Sequence, residues 1–454
     1  MTSYIKEFTS KRRPADYYRK LLEEAAKLNQ EYHIFTALGE PKAAEGKGGV
    51  PFSSKANICV KGVETTAGSK MLRGHTPPFN ATVIERMLSD GRFSFIGETN
   101  MDEFGFGTFG INTEVPARNA FNKEYVAGGS SSGAAVATAI FKYHVALAES
   151  TGGSISTPAA LNGVVGFTPT YGSVSRYGLI DYANSLDKIG VMARSAEDVR
   201  TVYDAIKGPD SYDATCVVDK IRDEKKDKLF IVKELLEVAE EPVRSAFDKL
   251  MAKLENIGYK TETISMGILT KAVEPYYIIA MAEASTNLAK YDGYKYGLQY
   301  PELHQRYDEF FTNARANFGM EAKRRIILGT FIRGESVREK YYTKALIVRR
   351  MIMDEMKKVL SKGFMISPTL PILTPKVSEA EKLSPVQNYA LDLYTIPPSL
   401  GGFPHVTFPY DYLDGMPIGA QLVAEQANDY SLLSFVDRWE KEFSYRFKHN
   451  VGSL

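Results

Sequence analysis

Apolar and polar positions recur along the chain with two different periods. Tyr17, Leu21, Leu22, Ala25, Ala26 and Leu28 repeat at helical spacing amid charged residues, which predicts a helical segment within residues 1–45. From 46 to 205 the pattern breaks into short apolar runs punctuated by Gly, Ser, Thr and Asn. Residues 93–97 (FSFIG) and 144–148 (HVALA) read as strands, with a helix-like 133–141 (GAAVATAIF) between them. Ser195, followed by Asp198, opens a helix over 195–206 with a capping signature. Residues 208–228 are polar and turn-rich and predict a connection. A strand-like LFIV follows, then a helix from Pro242 to just before Gly258 whose Val243, Phe247, Leu250, Met251 and Leu254 form one stripe. Residues 336–360 read as a long basic amphipathic helix, 364–367, 404–408 and 418–424 as strands, and 429–443 as a closing helix. Strands alternating with helices predict an α/β protein on a parallel or mixed sheet.

Composition narrows the class of protein. The 454 residues carry 56 Lys+Arg against 55 Asp+Glu, a formal charge of +1. That balance argues against a surface that grips nucleic acid over its whole extent, while leaving room for a local basic patch. Two cysteines, Cys59 and Cys216, make neither a disulfide framework nor a metal quartet, so an intracellular protein is expected. The longest apolar run, 133–149, is interrupted by Lys142 and His144, too short for a membrane span. The first residues are charged with no apolar stretch behind them, so no signal peptide is expected and a soluble cytoplasmic protein is the default.

Candidate chemistry lies in three small-residue clusters: Ser53-Ser54-Lys55, Gly128-Gly129-Ser130-Ser131-Ser132-Gly133 and Ser150-Thr151-Gly152-Gly153-Ser154. Taken singly, each reads equally as a turn or a helix cap. A phosphate-binding loop needs a Lys after its last Gly, and Gly133 is followed by Ala. Residues 129–133 match G-x-S-x-G, which would make Ser131 an elbow nucleophile. That chemistry needs a histidine base, and the six histidines (33, 75, 144, 304, 405, 449) are scattered, so spacing leaves the alternative open.

Taken together, GGVPFSSKANI, GGSSSGAAVATA and STGGSISTPAALNGVVGFTPTYG resemble the amidase signature, a family of Ser-cisSer-Lys amide hydrolases. PYYIIAMAEASTNLAKYDGYKYG, EAKRRIILGTF, YALDLYTIPPSLGGFPHVTFP and GMPIGAQLVAE are similar to the A subunits of the tRNA-dependent amidotransferases within it. The resemblance implies an α/β amidase-signature fold, a central mixed sheet flanked by helices on both faces. It implies one domain over 46–454 after the helical segment 1–45, with 46–205 as signature core and 206–454 completing the sheet and the pocket. Ser154 is then the nucleophile, Ser130 the bridging serine on a cis peptide, and Lys55 the base. A serine hydroxyl needs its proton removed before it attacks, and a lysine does this only as the neutral amine, which burial favours. The apolar flank of Val50, Pro51, Phe52 and Ile58 is the expected source of that burial. Thr151, Gly152 and Gly153 would turn backbone N–H groups toward the oxyanion, where one donor is worth about 10²–10³ in rate.

The same resemblance implies a glutamine pocket. Arg325 would pair with the α-carboxylate, Asp392 with the α-ammonium, and Tyr276 would line the wall. It implies glutamine hydrolysis, with ammonia passed to a B subunit that uses ATP and magnesium to amidate Glu-tRNA(Gln), Asp-tRNA(Asn) or both. The tRNA would be held mainly by B, and a small C subunit would complete the assembly. This chain itself would need no metal or cofactor, in keeping with the lack of a His/Cys cluster or P-loop. The family usually reads G-[ST]-D-T-G-G-S-I-R around the nucleophile. Here Ser150 and Ser156 replace its Asp and Arg, for which a neutral brace in place of a charged one is expected. Ser132, Ala134 and Ala56 also depart from the usual residues, without touching Lys55, Ser130 or Ser154. Two rival readings remain: a free-standing amidase of small amides, and a catalytically silent scaffold.

Overall fold

The structure is a computed structural model that describes residues 3–39, 48–218, 220–299, 306–443 and 447. The expected boundary at 45/46 lies outside the described residues. Among the described residues eleven strands form a single mixed sheet: β1 Phe35–Leu38, β2 Val50–Lys55, β3 Phe93–Thr99, β4 Val145–Ser150, β5 Val165–Thr168, β6 Lys188–Ala193, β7 Lys228–Val232, β8 Lys260–Ile264, β9 Phe364–Pro368, β10 His405–Leu413 and β11 Met416–Val423. Their order across the sheet is β1-β3-β2-β4-β6-β5-β10-β11-β9-β7-β8. β2 runs parallel to both β3 and β4, and β7 parallel to both β8 and β9, while β5 meets β10 antiparallel through Phe167↔Val406.

Every residue of β2, β4 and β6 is buried. Successive strand residues point to opposite faces, so complete burial means that both faces are covered. Two separate apolar cores show the covering directly. Leu229, Ile231, Phe364 and Ile366 enter one core, and Phe230, Val232 and Met365 enter the other. The first core packs against helices Tyr17–Tyr32, Ser132–Ile140, Ala196–Ile206, Glu241–Asn256 and Asp429–Glu442. The second packs against Val273–Asn287 and Lys344–Leu360. The α/β reading with helices on both faces therefore holds.

Local signals acted as expected where they were strong. Ser195 Oγ accepts from Asp198 N–H at 3.2 Å and caps Ala196–Ile206. Glu241–Asn256 begins with Pro242 near its start and buries the stripe Val243, Phe247, Leu250 and Leu254. Two expectations are corrected. Residues 336–360 are not one uniform α-helix: Glu335–Arg338 leads into a π-helical turn, Glu339–Thr343, before Lys344–Leu360. The N-terminal segment is not purely helical, because β1 pairs with β3 at the sheet edge. No helix among the described residues is long and apolar enough to cross a membrane.

Candidate active site

β2 and β4 are adjacent and parallel, so their carboxyl ends lie side by side, the position where α/β sheets place their crevices. β2 ends in Lys55, which is fully buried together with Val50, Phe52 and Ile58. The apolar flank is as expected, but it is only part of the lysine's surroundings. Lys55 Nζ lies 2.7 Å from Ser130 Oγ, 3.0 Å from the Glu149 carbonyl oxygen and 2.8 Å from Glu149 Oε2. A carboxylate thus sits against the lysine, and both side chains are sealed from solvent.

Ser130 belongs to the segment leading into helix Ser132–Ile140, and the Gly129–Ser130 peptide is cis. Its carbonyl accepts from Asp102 N–H at 3.2 Å. The Asp102 carboxyl, in turn, accepts from the N–H groups of Asn112 (2.7 Å) and Gly110 (3.1 Å). Burial pushes the Asp102 pKa up to about 6, against the opposing pull of those N–H groups and of Lys55. Ser131 N–H donates to the Ser154 carbonyl at 3.2 Å and ties the cis-peptide segment to the turn after β4.

That turn runs from Thr151 to Ile155 and enters helix Ser156–Leu161. The glycines in it have no room for side chains. A Cβ on Gly152 would meet Tyr276 Oη at 2.7 Å, and one on Gly153 would run into Thr395 Oγ1 and Cβ. Gly152 O accepts from Ser150 Oγ (3.0 Å) and Ser399 Oγ (2.6 Å). Among the described residues, Ser156 Oγ is buried without a hydrogen-bond partner. Ser150 and Ser156 therefore form no direct brace with each other.

Ser154, 7% exposed, opens onto a small cavity whose walls include Gly129, Gly153, Tyr182, Tyr276, Tyr277, Arg325 and Asp392. The three positions expected for a glutamine pocket thus converge on the same space as the expected nucleophile. Arg325 is buried, with its guanidinium 4.7 Å from the Phe106 ring centroid and Nη1 donating to Tyr182 Oη. Its Nε lies 3.2 Å from Glu321 Oε1 without the alignment of a hydrogen bond. Asp392 accepts from Tyr277 Oη at 2.6 Å and Thr108 Oγ1 at 3.2 Å, and burial pushes its pKa up to about 6. A guanidinium and a carboxyl therefore line one small cavity without pairing with each other.

Several residues of the site escaped the sequence reading. Glu149, Thr108, Tyr182 and Tyr277 all touch expected site residues. Glu149 carried a signal, a single charge in the otherwise apolar VALA run of β4. Tyr277 directly follows Tyr276, and sequence alone does not say which of two adjacent tyrosines reaches the carboxylate. The elbow alternative finds no support among the described residues: Ser131 Oγ donates to the Glu149 carbonyl (3.0 Å), and the His144 ring is occupied by Ser53 and Thr138. His304 and His449 lie outside the described residues.

Known proteins resemble this chain over most of its length. The model of the amidase family matches residues 18–433. The A subunit of the glutamyl-tRNA(Gln) amidotransferase of Sulfolobus acidocaldarius is 39% identical, covering 95% of each chain. Its namesake from Methanosarcina mazei is 39% identical over 94% of this chain and 90% of its own. Among solved structures, the A subunit of the glutamyl-tRNA(Gln) amidotransferase of Thermotoga maritima superposes with a TM-score of 0.81 at 32% identity, covering 96% of this chain and 94% of that one. A 6-aminohexanoate cyclic dimer hydrolase shares the fold, with a TM-score of 0.83 at 19% identity over 98% of this chain and 97% of its own.

Proposed function

The chain belongs to the amidase family, and from that premise we propose that it is the glutamine-hydrolysing A subunit of a tRNA-dependent amidotransferase. The observation that carries this reading is the convergence of Ser154, Arg325 and Asp392 on one cavity, with Lys55 Nζ bonded to Ser130 Oγ and the adjacent Ser131 N–H bonded to the Ser154 carbonyl. The fork of Arg325 suits an α-carboxylate and Asp392 suits an α-ammonium, a pair of groups that a simple amide lacks.

In this mechanism Ser154 Oγ attacks the side-chain amide carbon of glutamine. The proton of Ser154 moves to Ser130 Oγ, and that of Ser130 moves to Lys55 Nζ. The N–H groups of Thr151, Gly152 and Gly153 hold the developing oxyanion. Collapse breaks the C–N bond, the relay returns a proton to the departing nitrogen, and ammonia leaves a glutamyl ester on Ser154. Water then hydrolyses that ester by the reverse relay. The ammonia serves a B subunit that activates the aminoacyl-tRNA carboxylate with ATP and magnesium and holds the tRNA, while a C subunit completes a cytoplasmic heterotrimer. The acceptor is Glu-tRNA(Gln), as in the names of the relatives, with Asp-tRNA(Asn) as the other candidate. Ile327, Phe331, Ile347 and Met351 are each more than half exposed on helices Met320–Arg333 and Lys344–Leu360, a surface that supports a partnered chain.

The test is ammonia release from glutamine by this chain with its co-purified partners, beside Ser154→Ala. Release that vanishes in the variant and exceeds release from simple amides is the expected outcome. Ser154-dependent turnover of simple amides alone would point to a free-standing amidase, and silence on both to a scaffold.

A further inference from the structure

The lysine at the end of β2 does not stand alone. Glu149, on β4, offers it both a backbone carbonyl and Oε2, and with Ser130 Oγ these complete three contacts around Nζ. The usual family pattern carries Ser or Thr at this position, so the carboxylate departs from that pattern. Its other oxygen, Oε1, lies 2.9 Å from Thr151 Oγ1, and the same hydroxyl lies 2.8 Å from Asp187 Oδ1. A hydroxyl has one proton to give and two carboxyl oxygens to satisfy, so one of the two carboxyls supplies a proton of its own. Asp187 is the holder: it is fully buried, and burial together with the nearby Glu149 raises it well above the ordinary carboxylate range. Thr151 then donates to Glu149, and Oε2 of Glu149 remains aimed at Lys55.

We propose that Lys55 and Glu149 act as one base, with Glu149 holding the proton that Lys55 sheds before each turnover. This rests on the assignment of Ser154 as nucleophile. A buried ion pair is balanced against its neutral form far more evenly than in water, because desolvation penalises both charges. In the first step an N–H bond of the Lys55 ammonium breaks and an O–H bond forms on Glu149 Oε2, leaving amine and carboxylic acid with no change in net charge. The Lys55 lone pair then accepts the Ser130 proton while Ser130 accepts that of Ser154, and the Ser154 Oγ–carbon bond forms. Lys55 ends as ammonium beside a neutral Glu149, opposite the oxyanion. When the leaving nitrogen takes its proton through Ser130, Lys55 is again an amine, and the proton on Glu149 returns to it. The lysine becomes a base without exporting a proton to solvent.

The consequence is a pH profile. Other titratable and charged groups facing the pair are Asp102, after β3, and Asp187 and Lys188, at the start of β6; Asn57 Nδ2 also approaches Glu149 Oε2, at 3.3 Å. A pair that exchanges its proton internally stays competent until the pH approaches carboxyl values, whereas a lone lysine has first to lose its proton to water, and the two ranges lie about six pH units apart in the free side chains.

The experiment is labelling of Ser154 by a fluorophosphonate, followed against pH. A Ser–P bond forms and fluoride leaves, so neither glutamine nor the other subunits of the assembly are needed. With Ser154→Ala as control, the wild-type rate is expected to hold down to about pH 6. In Glu149→Gln and in Glu149→Ser, which restores a residue of the family pattern, the acid limb is expected to move up by more than about one pH unit, leaving less than about a tenth of the wild-type rate at pH 6. A wild-type limb above about pH 8 overturns the proposal even if neither variant folds. A limb that is unmoved, or that moves down as loss of a mere counter-ion requires, also overturns it. Failure to label Ser154 at any pH instead removes the nucleophile assignment beneath it.

Discussion

Asp392 is a carboxyl that meets no cation within ion-pair distance among the described residues, yet it faces the cavity next to Ser154. Burial raises its pKa to about 6, so it is an anion at neutral pH and takes up a proton as the pH falls through that value. In the proposed mechanism, protonation removes the attraction for an α-ammonium. The KM for glutamine is therefore expected to climb below about pH 6, by at most about tenfold per pH unit, while turnover of a small neutral amide stays level across the same range. Asp392→Asn should abolish that pH dependence and lower kcat/KM for glutamine by at least about thirtyfold, the loss that follows removal of one partner from a buried charge pair. Steady-state kinetics with both substrates, from pH 5 to 8, tests this. A variant equally damaged toward both substrates would show instead that Asp392 supports the wall of the cavity.

At the scale of elements, the decisive piece is the turn between β4 and helix Ser156–Leu161. Gly153 is wedged against Thr395 and Thr157, so its backbone position is set by neighbours and not by the turn alone. Gly153→Ala is expected to displace the N–H groups beside Ser154 and to lower kcat by about 10²–10³, the range for losing one oxyanion donor. Thermal melting should move far less, because a single turn yields more readily than the sheet that carries it; a melt that collapses together with the activity would argue for a purely structural role. Gly152-Gly153-Ser154 was legible in the sequence as a motif, but the reason for its glycines was not, since Tyr276 and Thr395 arrive from more than a hundred residues away. The same holds for strands. FSFIG and LFIV announced themselves by apolar runs, whereas β2 hides in VPFSSK, where Ser53, Ser54 and Lys55 are buried polar residues that a hydrophobic pattern reads as a loop. Burial of Ser53 and Lys55 is possible because tertiary partners satisfy them, as His144 does Ser53 and Glu149 does Lys55, whereas Ser54 Oγ is buried without a hydrogen-bond partner among the described residues. Pairings of that kind have no local trace.

Over the whole molecule, the closing helix is fixed to the body by a group that titrates. Glu440 is buried and lies within 3.3 Å of Ala196 N–H, the first residue of the helix Ala196–Ile206, and burial pushes its pKa up to about 8. The folded chain keeps this proton over a range in which the unfolded chain has lost it. Stability is therefore expected to decline as pH rises from about 4.5 toward 8, and to level off beyond. Glu440→Gln, neutral at every pH, should flatten the decline in Tm measured between pH 5.5 and 8.5. An unchanged slope would assign the effect to other buried carboxyls, such as Asp429. The family resemblance anticipated the two-faced α/β architecture and brought Lys55, Ser130, Ser154, Arg325 and Asp392 to attention. The meeting of Ser154, Arg325 and Asp392 in one cavity, and of Lys55 with Ser130 beneath the surface, depended on the sheet order, which no spacing along the chain conveys.

That order has a temporal meaning. The strands from β1 to β6, with Lys55 ending β2 and Ser154 in the turn after β4, all lie within residues 35–193, and those from β7 to β11 within 228–423. The two groups join at one seam, where His405, Val406 and Thr407 of β10 pair with Thr168, Phe167 and Gly166 of β5. A chain emerging from the ribosome completes the first group long before β10 exists, and until then β5 is an open edge inviting other strands to add to it. Ser154 is likewise made before Arg325 and Asp392, so a prematurely terminated chain would carry the serine, its lysine and its cis peptide with no pocket to select a substrate. Synthesis through β10 is therefore the point at which the nascent chain covers its β5 edge, with Arg325 and Asp392 already made to complete the cavity beside Ser154.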